Sequence, residues 1–364
     1  MINRKGIPKL LAVAITLMIF ISGVQGTAKA QDTELDPIVV MYEASHTPQF
    51  SANNAEDGLK LMLDMVNEST RYLLRVNEDP LNDTILENVD ILIIAEPDES
   101  VEFEYEEILA IDELLTNGSS LFILGDPSID QNSTYWSNQQ FRDLGENVAI
   151  NTFLDQMNIT TVRFGLNETA SGRIFSDTMF DYEQSLNSTY ASIIQFDSTT
   201  WDTSHPIFKD INSIISMTAT LKPIDLVSGI AHGYETSFAQ YRRGPNTFGN
   251  LTFPNMSLQE FQEAPNSYSA INGTFPSWLS AFRYGNSRIV VGGSALMFTG
   301  RKLDFPESEG EWFYQADNSR LFMNILSWLS YDFVNPESPI LPMLIISSVI
   351  LLIGVAYYLF KRLR

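Results

Sequence analysis

The N-terminal half of the chain alternates between short apolar runs and amphipathic stretches. The runs at Asp36–His46, Val89–Glu99 and Ser119–Asp126 are dense in β-branched residues, which is typical of strands buried on both faces. Glu56–Asn67 and Phe103–Gly118 lie between them and carry apolar residues at helical spacing. Strand, helix and strand in this order predict βαβ units, and therefore an α/β domain with a flavodoxin-like, doubly wound, mostly parallel sheet.

The second half of the chain has shorter apolar runs and more turn residues than the first. A short strand predicted at Arg71–Asn77 still belongs to the first half; beyond it the pattern predicts a helix at Gln139–Gln156, followed by short β-like pieces that Gly, Pro, Asn and Ser separate. Residues 244–275 are polar and rich in turn residues, which indicates a loop insertion. Beyond this insertion the pattern predicts a hairpin turn at Tyr284–Ser287 and an amphipathic helix at Asp317–Ser330. We therefore expect one α/β domain with a β-rich, decorated second half.

Both ends of the chain carry apolar segments. Residues 1–30 combine basic residues, a 15-residue apolar block and an Ala-Lys-Ala site, which predicts a secretory signal peptide; an uncleaved anchor is the alternative. Residues 340–360 contain no charge and precede the basic tail 361–364, which predicts a transmembrane helix with a cytoplasmic tail. The alternative is a helix buried in the domain, but such a helix would show a polar face, which residues 340–360 lack. The expected topology is that of a type I single-pass protein of the cell membrane, with residues 31–336 on the extracytoplasmic side. In a eukaryote the membrane would be that of the endoplasmic reticulum.

Charge and cysteine content exclude several classes of function. Residues 31–336 contain 15 Lys and Arg against 44 Asp and Glu, a net charge of about −29. Such a charge argues against nucleic acid or an anionic membrane surface as the partner of this domain. The chain contains no cysteine, which excludes thiol amidotransferases, cysteine proteases and Cys-ligated zinc. The pattern indicates no cofactor.

Glycosylation is predicted by ten Asn-X-Ser/Thr sequons, an excess for a chain of this composition. The alternative is that such sequences are ordinary turns. The candidate asparagines are Asn67, Asn82, Asn117, Asn132, Asn158, Asn167, Asn187, Asn250, Asn255 and Asn272.

An acidic residue follows each of three predicted strands: Glu43, Glu96 and Asp126. In an open α/β sheet, ligands bind in the crevice beyond the carboxyl ends of the strands. Three carboxylates that converge there could hold a cation or accept hydrogen bonds from a sugar. The alternative is that each acid caps a helix or binds the N–H groups of its own turn.

Candidate catalytic residues are few. Asp126 lies at a strand-to-helix turn without an evident base beside it, and Ser294 follows a strand without the Gly-x-Ser-x-Gly pattern. The bases that a hydrolase could use with Ser294 are His205 and His232. His46 is the third histidine of the chain, and no His-x-His or His-x-x-x-His pair supports a metal site.

The succession of motifs resembles a known family. "VDILIIAEPDESVEFEYEEILAIDELLTNGSSLFILGDP", "HPIFKDI", "GNSRIVVGGSALMF" and "DNSRLFMNILSWL" occur in this order. The order is similar to class I glutamine amidotransferase-like domains that have lost their catalytic cysteine. Such domains occur in gliding-motility-type ABC transporter components, in intraflagellar-transport proteins and in the non-catalytic lumenal subunit of eukaryotic oligosaccharyltransferase.

The resemblance implies a non-enzymatic accessory or scaffold subunit of a membrane complex. Two departures concern the oligosaccharyltransferase subunit: the chain is too short for the additional β-rich domain expected there, and the signal with no cysteine has a prokaryotic character. The topology, the short chain and the prokaryotic character together fit an archaeal surface protein. The alternatives are a sugar- or cation-binding ectodomain that uses Glu43, Glu96 and Asp126, and a hydrolase that uses Ser294 or Asp126.

Overall fold

The computed structural model describes residues 36–129, 133–138, 141, 144–168, 172–187, 190–223, 228–241, 267–269 and 276–331. Fifteen strands lie in these ranges. They are β1 Ile38–Glu43, β2 Tyr72–Asn77, β3 Ile91–Ala95, β4 Ser120–Leu124, β5 Val162–Phe164, β6 Leu166–Glu168, β7 Ile174–Phe180, β8 Ile194–Asp197, β9 Ser213–Ser216, β10 Leu221–Pro223, β11 Gly229–His232, β12 Phe238–Tyr241, β13 Ser267–Ser269, β14 Ser277–Tyr284 and β15 Ser287–Gly292.

The principal sheet is mixed and has nine strands. Its order is β2-β1-β3-β4-β15-β14-β10-β5, and β11 also pairs with β14. The five strands from β2 to β15 are parallel, whereas β14 and the strands beyond it pair antiparallel. The parallel part has the 2-1-3-4-5 order of flavodoxin-like folds. The predicted mostly parallel sheet is therefore correct for the first half, and the whole is an α/β fold with a mixed, mainly parallel sheet.

Helices cover both faces of this sheet, as the pattern predicts. They are α1 Lys60–Glu68, α2 Asp83–Leu86, α3 Tyr105–Thr116, α4 Val148–Gln156 and α5 Asn318–Leu329. Alternate residues of β1 point to opposite faces, so Val40 and Tyr42 join one core, whereas Val39 and Met41 join the other. The first core contains apolar residues of α1 and α5, and the second contains those of α3 and α4. Two separate cores on opposite faces define a doubly wound sheet.

Two smaller sheets decorate the second half. One has the order β13-β12-β7-β6, and the other pairs β8 with β9. β13 lies within the predicted loop insertion 244–275, and the rest of that insertion is outside the described residues. β7 is a seven-residue strand that the sequence pattern did not predict, because polar residues interrupt its apolar alternation.

The predicted helix Gln139–Gln156 is not continuous, since Phe141 is helical but residues 144–147 are not, and residues 139, 140, 142 and 143 lie outside the described residues. The helix α4 begins only at Val148, although apolar residues at helical spacing precede it. Gly145 interrupts the spacing with a φ of 87°, and a Cβ at this position would lie 2.7 Å from the backbone nitrogen of Ser128. A left-handed residue held this close to another segment cannot belong to an α-helix.

The hairpin and the final helix follow the prediction. β14 and β15 pair antiparallel around Gly285 and Asn286, and Gly285 has the positive φ, 59°, that such a two-residue turn requires. No helix among the described residues is long and apolar enough to cross a bilayer. The predicted segments 1–30, 340–360 and 361–364 lie outside the described residues.

Candidate functional site

The three predicted strand-end acids lie at one edge of the sheet. β1, β3 and β4 are neighbours in the strand order and run parallel, so Glu43, Glu96 and Asp126 all follow the carboxyl ends of adjacent strands. The sheet also changes its direction of winding between β1 and β3, which is the position where flavodoxin-like folds bind their ligands.

Glu96 and Asp126 form a buried carboxyl pair. Glu96 accepts a hydrogen bond at Oε1 from the N–H of Gly145 (2.9 Å), and Asp126 accepts one at Oδ1 from the N–H of Leu296 (2.9 Å). The second oxygen of each carboxyl group is buried without a hydrogen-bond donor. Burial raises the pKa of both groups well above its ordinary range, and the charge of Asp126 raises the pKa of Glu96 further. The raised pKa values mean that the folded protein keeps a proton on this pair at a higher pH than ordinary carboxyl groups would.

The backbone fixes the geometry of this pair. Glu96 has a φ of 42°, a left-handed conformation that is uncommon for a residue with a side chain. Its N–H donates to the carbonyl of Leu124 (2.7 Å), which continues the pairing of β3 with β4 beyond the end of β3. The Asn147 side chain binds Asp126 from both sides, since its Oδ1 accepts from the Asp126 N–H (3.2 Å) and its amide donates to the Asp126 carbonyl (2.8 Å).

Glu43 makes a different set of contacts. Its carboxylate accepts hydrogen bonds from the N–H of Ser45 (2.7 Å), from the Ser45 hydroxyl and from the N–H of His46 (3.3 Å). These are bonds to its own turn, as the alternative interpretation of the sequence predicts. Glu43 therefore belongs to a second buried cluster, in which His46 is the central residue.

The second cluster places the His46 imidazole between two carboxylates. Its Nδ1 lies 3.2 Å from Glu43 Oε1, its Nε2 lies 3.3 Å from Glu107 Oε2, and its ring stacks on Phe103 with centroids 4.0 Å apart. Burial alone lowers the pKa of His46, but hydrogen bonds and charges from Glu43 and Glu107 outweigh burial and raise this pKa above its ordinary value. No pattern in the sequence predicted this cluster. Glu107 also accepts from the N–H groups of Leu81 and Glu104.

The crevice is closed at these residues. The exposed fraction is 0% for Glu43, 2% for Glu96 and 0% for Asp126. A sugar or a hydrated cation would reach them only after the segments around Gly145 and Leu296 had moved. Among the described residues, no group of three or more His, Asp and Glu side chains has a geometry that could hold a metal ion.

Ser294 has a structural contact. Its hydroxyl is buried and accepts from the N–H of Met297 (3.2 Å), which belongs to the short 3₁₀ turn Leu296–Phe298. In the part of the chain that the structure describes, no hydrogen bond joins Ser294 to a histidine. His205 accepts instead from the N–H of Ile207 (3.4 Å) and caps another 3₁₀ turn, and His232 Nδ1 contacts the Gly233 carbonyl (2.8 Å).

Six of the ten predicted sequon asparagines lie in the described residues, and none of the six is buried. Asn67, Asn82, Asn117, Asn158 and Asn187 are exposed, and Asn167 is half-buried. Their exposure permits modification, and glycosylation stays a prediction. Asn132, Asn250, Asn255 and Asn272 lie outside the described residues.

An open cleft lies further along the same edge of the sheet. His232, at the end of β11, pairs with Ser277, which begins β14 beside the carboxyl end of β15. The cleft has a volume of about 400 Å³, and its walls are the turn around Glu183 and the turn from His232 to Thr236. Unlike the strand-end acids, the cleft opens to solvent.

Comparisons with known proteins give similarities of structure at low identity. No protein-family model matches the chain, and no curated protein matches it. The N-terminal domain of mmIFT52 is similar with a TM-score of 0.49 and 14% identity, over 80% of this chain and 97% of that domain. A cytoplasmic protein from Salmonella typhimurium is similar with a TM-score of 0.39 and 11% identity, over 80% of this chain and 98% of that protein.

A ThuA-like protein from Parabacteroides merdae is also similar, with a TM-score of 0.39 and 10% identity, over 81% of this chain and 90% of that protein. These are likenesses of fold alone with TM-scores below 0.5, and none of them indicates a function. The strand order and the strand-end residues define an α/β protein of flavodoxin-like order. Because the chain contains no cysteine, it lacks the nucleophile of class I glutamine amidotransferases.

Proposed function

We propose that this chain is a non-enzymatic, membrane-anchored accessory or scaffold subunit of a membrane complex, with an extracytoplasmic domain of the class I amidotransferase-like type. Glycan transfer and ABC-type export are the settings that the sequence resemblance favours. The archaeal origin and the type I topology are parts of the same proposal.

The proposal rests mainly on the turn after β4, in which a buried aspartate stands. Related amidotransferases are expected to have a cysteine nucleophile near this turn, where this chain has Gly125-Asp126-Pro127. The Asp126 carboxyl group is buried, binds the Leu296 N–H and pairs with Glu96. Such a group stabilises the closed crevice and is not available to attack a substrate, since a nucleophile must be accessible and activated by a base.

The position of the last described helix supports the proposed anchor. α5 ends at the amino edge of the sheet, where the Ser120 hydroxyl donates to the Leu329 carbonyl (2.8 Å) and Arg288 donates to the Trp328 carbonyl (3.2 Å). Only eight residues separate Tyr331 from the predicted span that begins at Ile340. They reach at most about 29 Å when fully extended. The anchor would therefore hold the amino edge toward the bilayer and the carboxyl edge, with its cleft, away from it.

Disrupting the predicted span tests the anchor in the full chain. The double variant Ile350→Arg/Ile353→Arg is expected to leave the membrane fraction, because each Arg near the centre of a span costs about 2.5–3.5 kcal/mol of insertion. The matched control Asn335→Arg lies before the span and should stay in the membrane fraction. Alkaline extraction of membranes followed by immunoblotting measures the distribution. A wild-type chain that is extracted as completely as the double variant would contradict the proposed anchor.

A further inference from the structure

A single buried carboxylate organises the open cleft. Asp181 is fully buried, and its Oδ1 accepts from the N–H groups of Glu183 (2.9 Å) and Gln184 (2.9 Å). Its Oδ2 accepts from the hydroxyls of Thr236 (2.7 Å) and Ser237 (2.8 Å). One residue therefore holds together the two turns that face each other across the cleft. The walls are built by charge-assisted hydrogen bonds and are not formed by loose loops.

Tyr234 gives the cleft an aromatic wall. Its hydroxyl donates to the Gln195 carbonyl (2.8 Å), and its ring stacks on Phe196 with centroids 6.2 Å apart. Burial raises the pKa of Tyr234 to about 12, and the charge of Asp197 contributes to this rise, so the hydroxyl stays protonated and bonded. The ring is fixed at both ends and presents a rigid apolar surface beside polar groups.

The remaining side chains of the cleft offer both donors and acceptors of hydrogen bonds. Glu183 and Glu235 provide carboxylate acceptors, and Gln184 provides a donor and an acceptor. The Thr199 hydroxyl donates to Asp197 (2.6 Å) and can accept from a ligand. These four side chains are exposed, so a ligand can reach them. A ligand that satisfies this mixture must itself carry groups that donate and accept, as hydroxyl groups do.

Charge and polarity narrow the class of ligand. None of the eight residues that line the cleft is Lys or Arg, so phosphate and carboxylate ligands find no counter-charge there. The polar walls also offer little apolar area to a lipid chain. The volume of about 400 Å³ lies in the range of small-molecule sites. An uncharged ligand of one or two sugar rings needs no counter-charge, is polar, and fits the volume of the cleft.

We propose that this cleft binds a saccharide, with the ring of Tyr234 against an apolar sugar face and with Glu183 and Glu235 accepting from sugar hydroxyls. The site is distinct from the strand-end acids Glu43, Glu96 and Asp126. It does not require the membrane anchor, so it can fail or succeed independently of the proposed function.

Saturation-transfer NMR of the full chain tests the site. The chain is produced in a host without N-glycosylation, so that its own glycans cannot occupy the cleft, and is solubilised in a detergent without a sugar headgroup. The probes are mannose, glucose, galactose, N-acetylglucosamine and a disaccharide of each. We expect saturation transfer to at least one probe, and a loss of affinity of at least tenfold in Glu235→Ala and in Thr199→Ala.

Two controls keep the test decisive. Glu309→Ala removes an exposed acid from another part of the surface, since its side chain is 89% exposed, and it should bind like the wild type. Because Glu235 and Thr199 are exposed, their variants should keep the wild-type melting temperature. Absence of transfer from all probes in the wild type, or equal affinity in the two cleft variants and the wild type, would overturn the proposal. Binding that requires added Ca²⁺ and persists without Glu235 would also overturn it.

Discussion

The variant His46→Ala is expected to lose about 3–5 kcal/mol of unfolding free energy, the cost of removing one partner from a buried ion pair. The imidazole lies between the carboxylates of Glu43 and Glu107, which are both buried. Alanine leaves these carboxylates without their positive partner and also removes the ring that stacks on Phe103. Urea unfolding at pH 6 measures the loss.

The pH dependence separates the charge of His46 from its packing. The pKa of His46 in the folded protein lies above its ordinary value of 6.5. The stability that its charge contributes is therefore complete below pH 6.5 and is lost as the pH rises through the folded-state pKa. The difference between wild type and His46→Ala should narrow from pH 6 to pH 9. His205→Ala is the control, since that ring caps a turn and packs beside Trp328 with centroids 5.3 Å apart; its loss should cost about 1–2 kcal/mol, less than the loss of His46. An equal difference at both pH values would refute the ion-pair interpretation.

The variant Glu96→Gln is expected to stabilise the protein by about 1–3 kcal/mol at pH 8, because an amide cannot ionise and replaces a buried carboxyl group whose pKa is raised. Gln keeps an oxygen for the Gly145 N–H and removes one of the two neighbouring buried acids. Because burial raises the pKa of both carboxyl groups, the folded wild type retains a proton that the unfolded chain has released. Wild-type stability should therefore fall as the pH rises above the ordinary carboxyl range toward the folded-state pKa.

Comparison of urea midpoints between pH 4 and pH 8 tests this carboxyl pair. Glu96→Gln should show a weaker decline in stability than the wild type, and the two should converge near pH 4. Glu309→Gln removes an exposed carboxylate and should keep the wild-type slope. If Glu96→Gln lowers stability at every pH, or if it retains the full wild-type slope, the buried Glu96 carboxyl group is not the source of the pH dependence.

The sequence predicts the first half of the fold because its local signals agree with one another. β1, β3 and β4 are continuous apolar runs, and α3 begins after a run of acids and ends at Asn117-Gly118, where Gly118 has a φ of 99°. Parallel strands joined by helices restrict the order of the strands, so the common edge of the three acids could be anticipated.

Other features depend on contacts between distant residues that no local pattern records. His46 and Glu107 are 61 positions apart, and nothing near either residue indicates that they meet. The pairing of Glu96 with Asp126 requires the left-handed turn at Glu96 and the N–H groups of Gly145 and Leu296. A signal does exist for the His46 cluster, since Ser45-His46 directly follows a buried strand at the edge where ligands bind in such folds.

If this chain is a non-catalytic subunit of a membrane complex, its native particle contains a second protein, and the mass of that particle reveals it. The full chain is purified from membranes of its source organism in a mild detergent without a sugar headgroup, and native mass spectrometry gives the mass of the particle. We expect one membrane partner at fixed stoichiometry, with the same composition in Glu96→Gln. A particle that contains only this chain, as a monomer, would refute the proposed function.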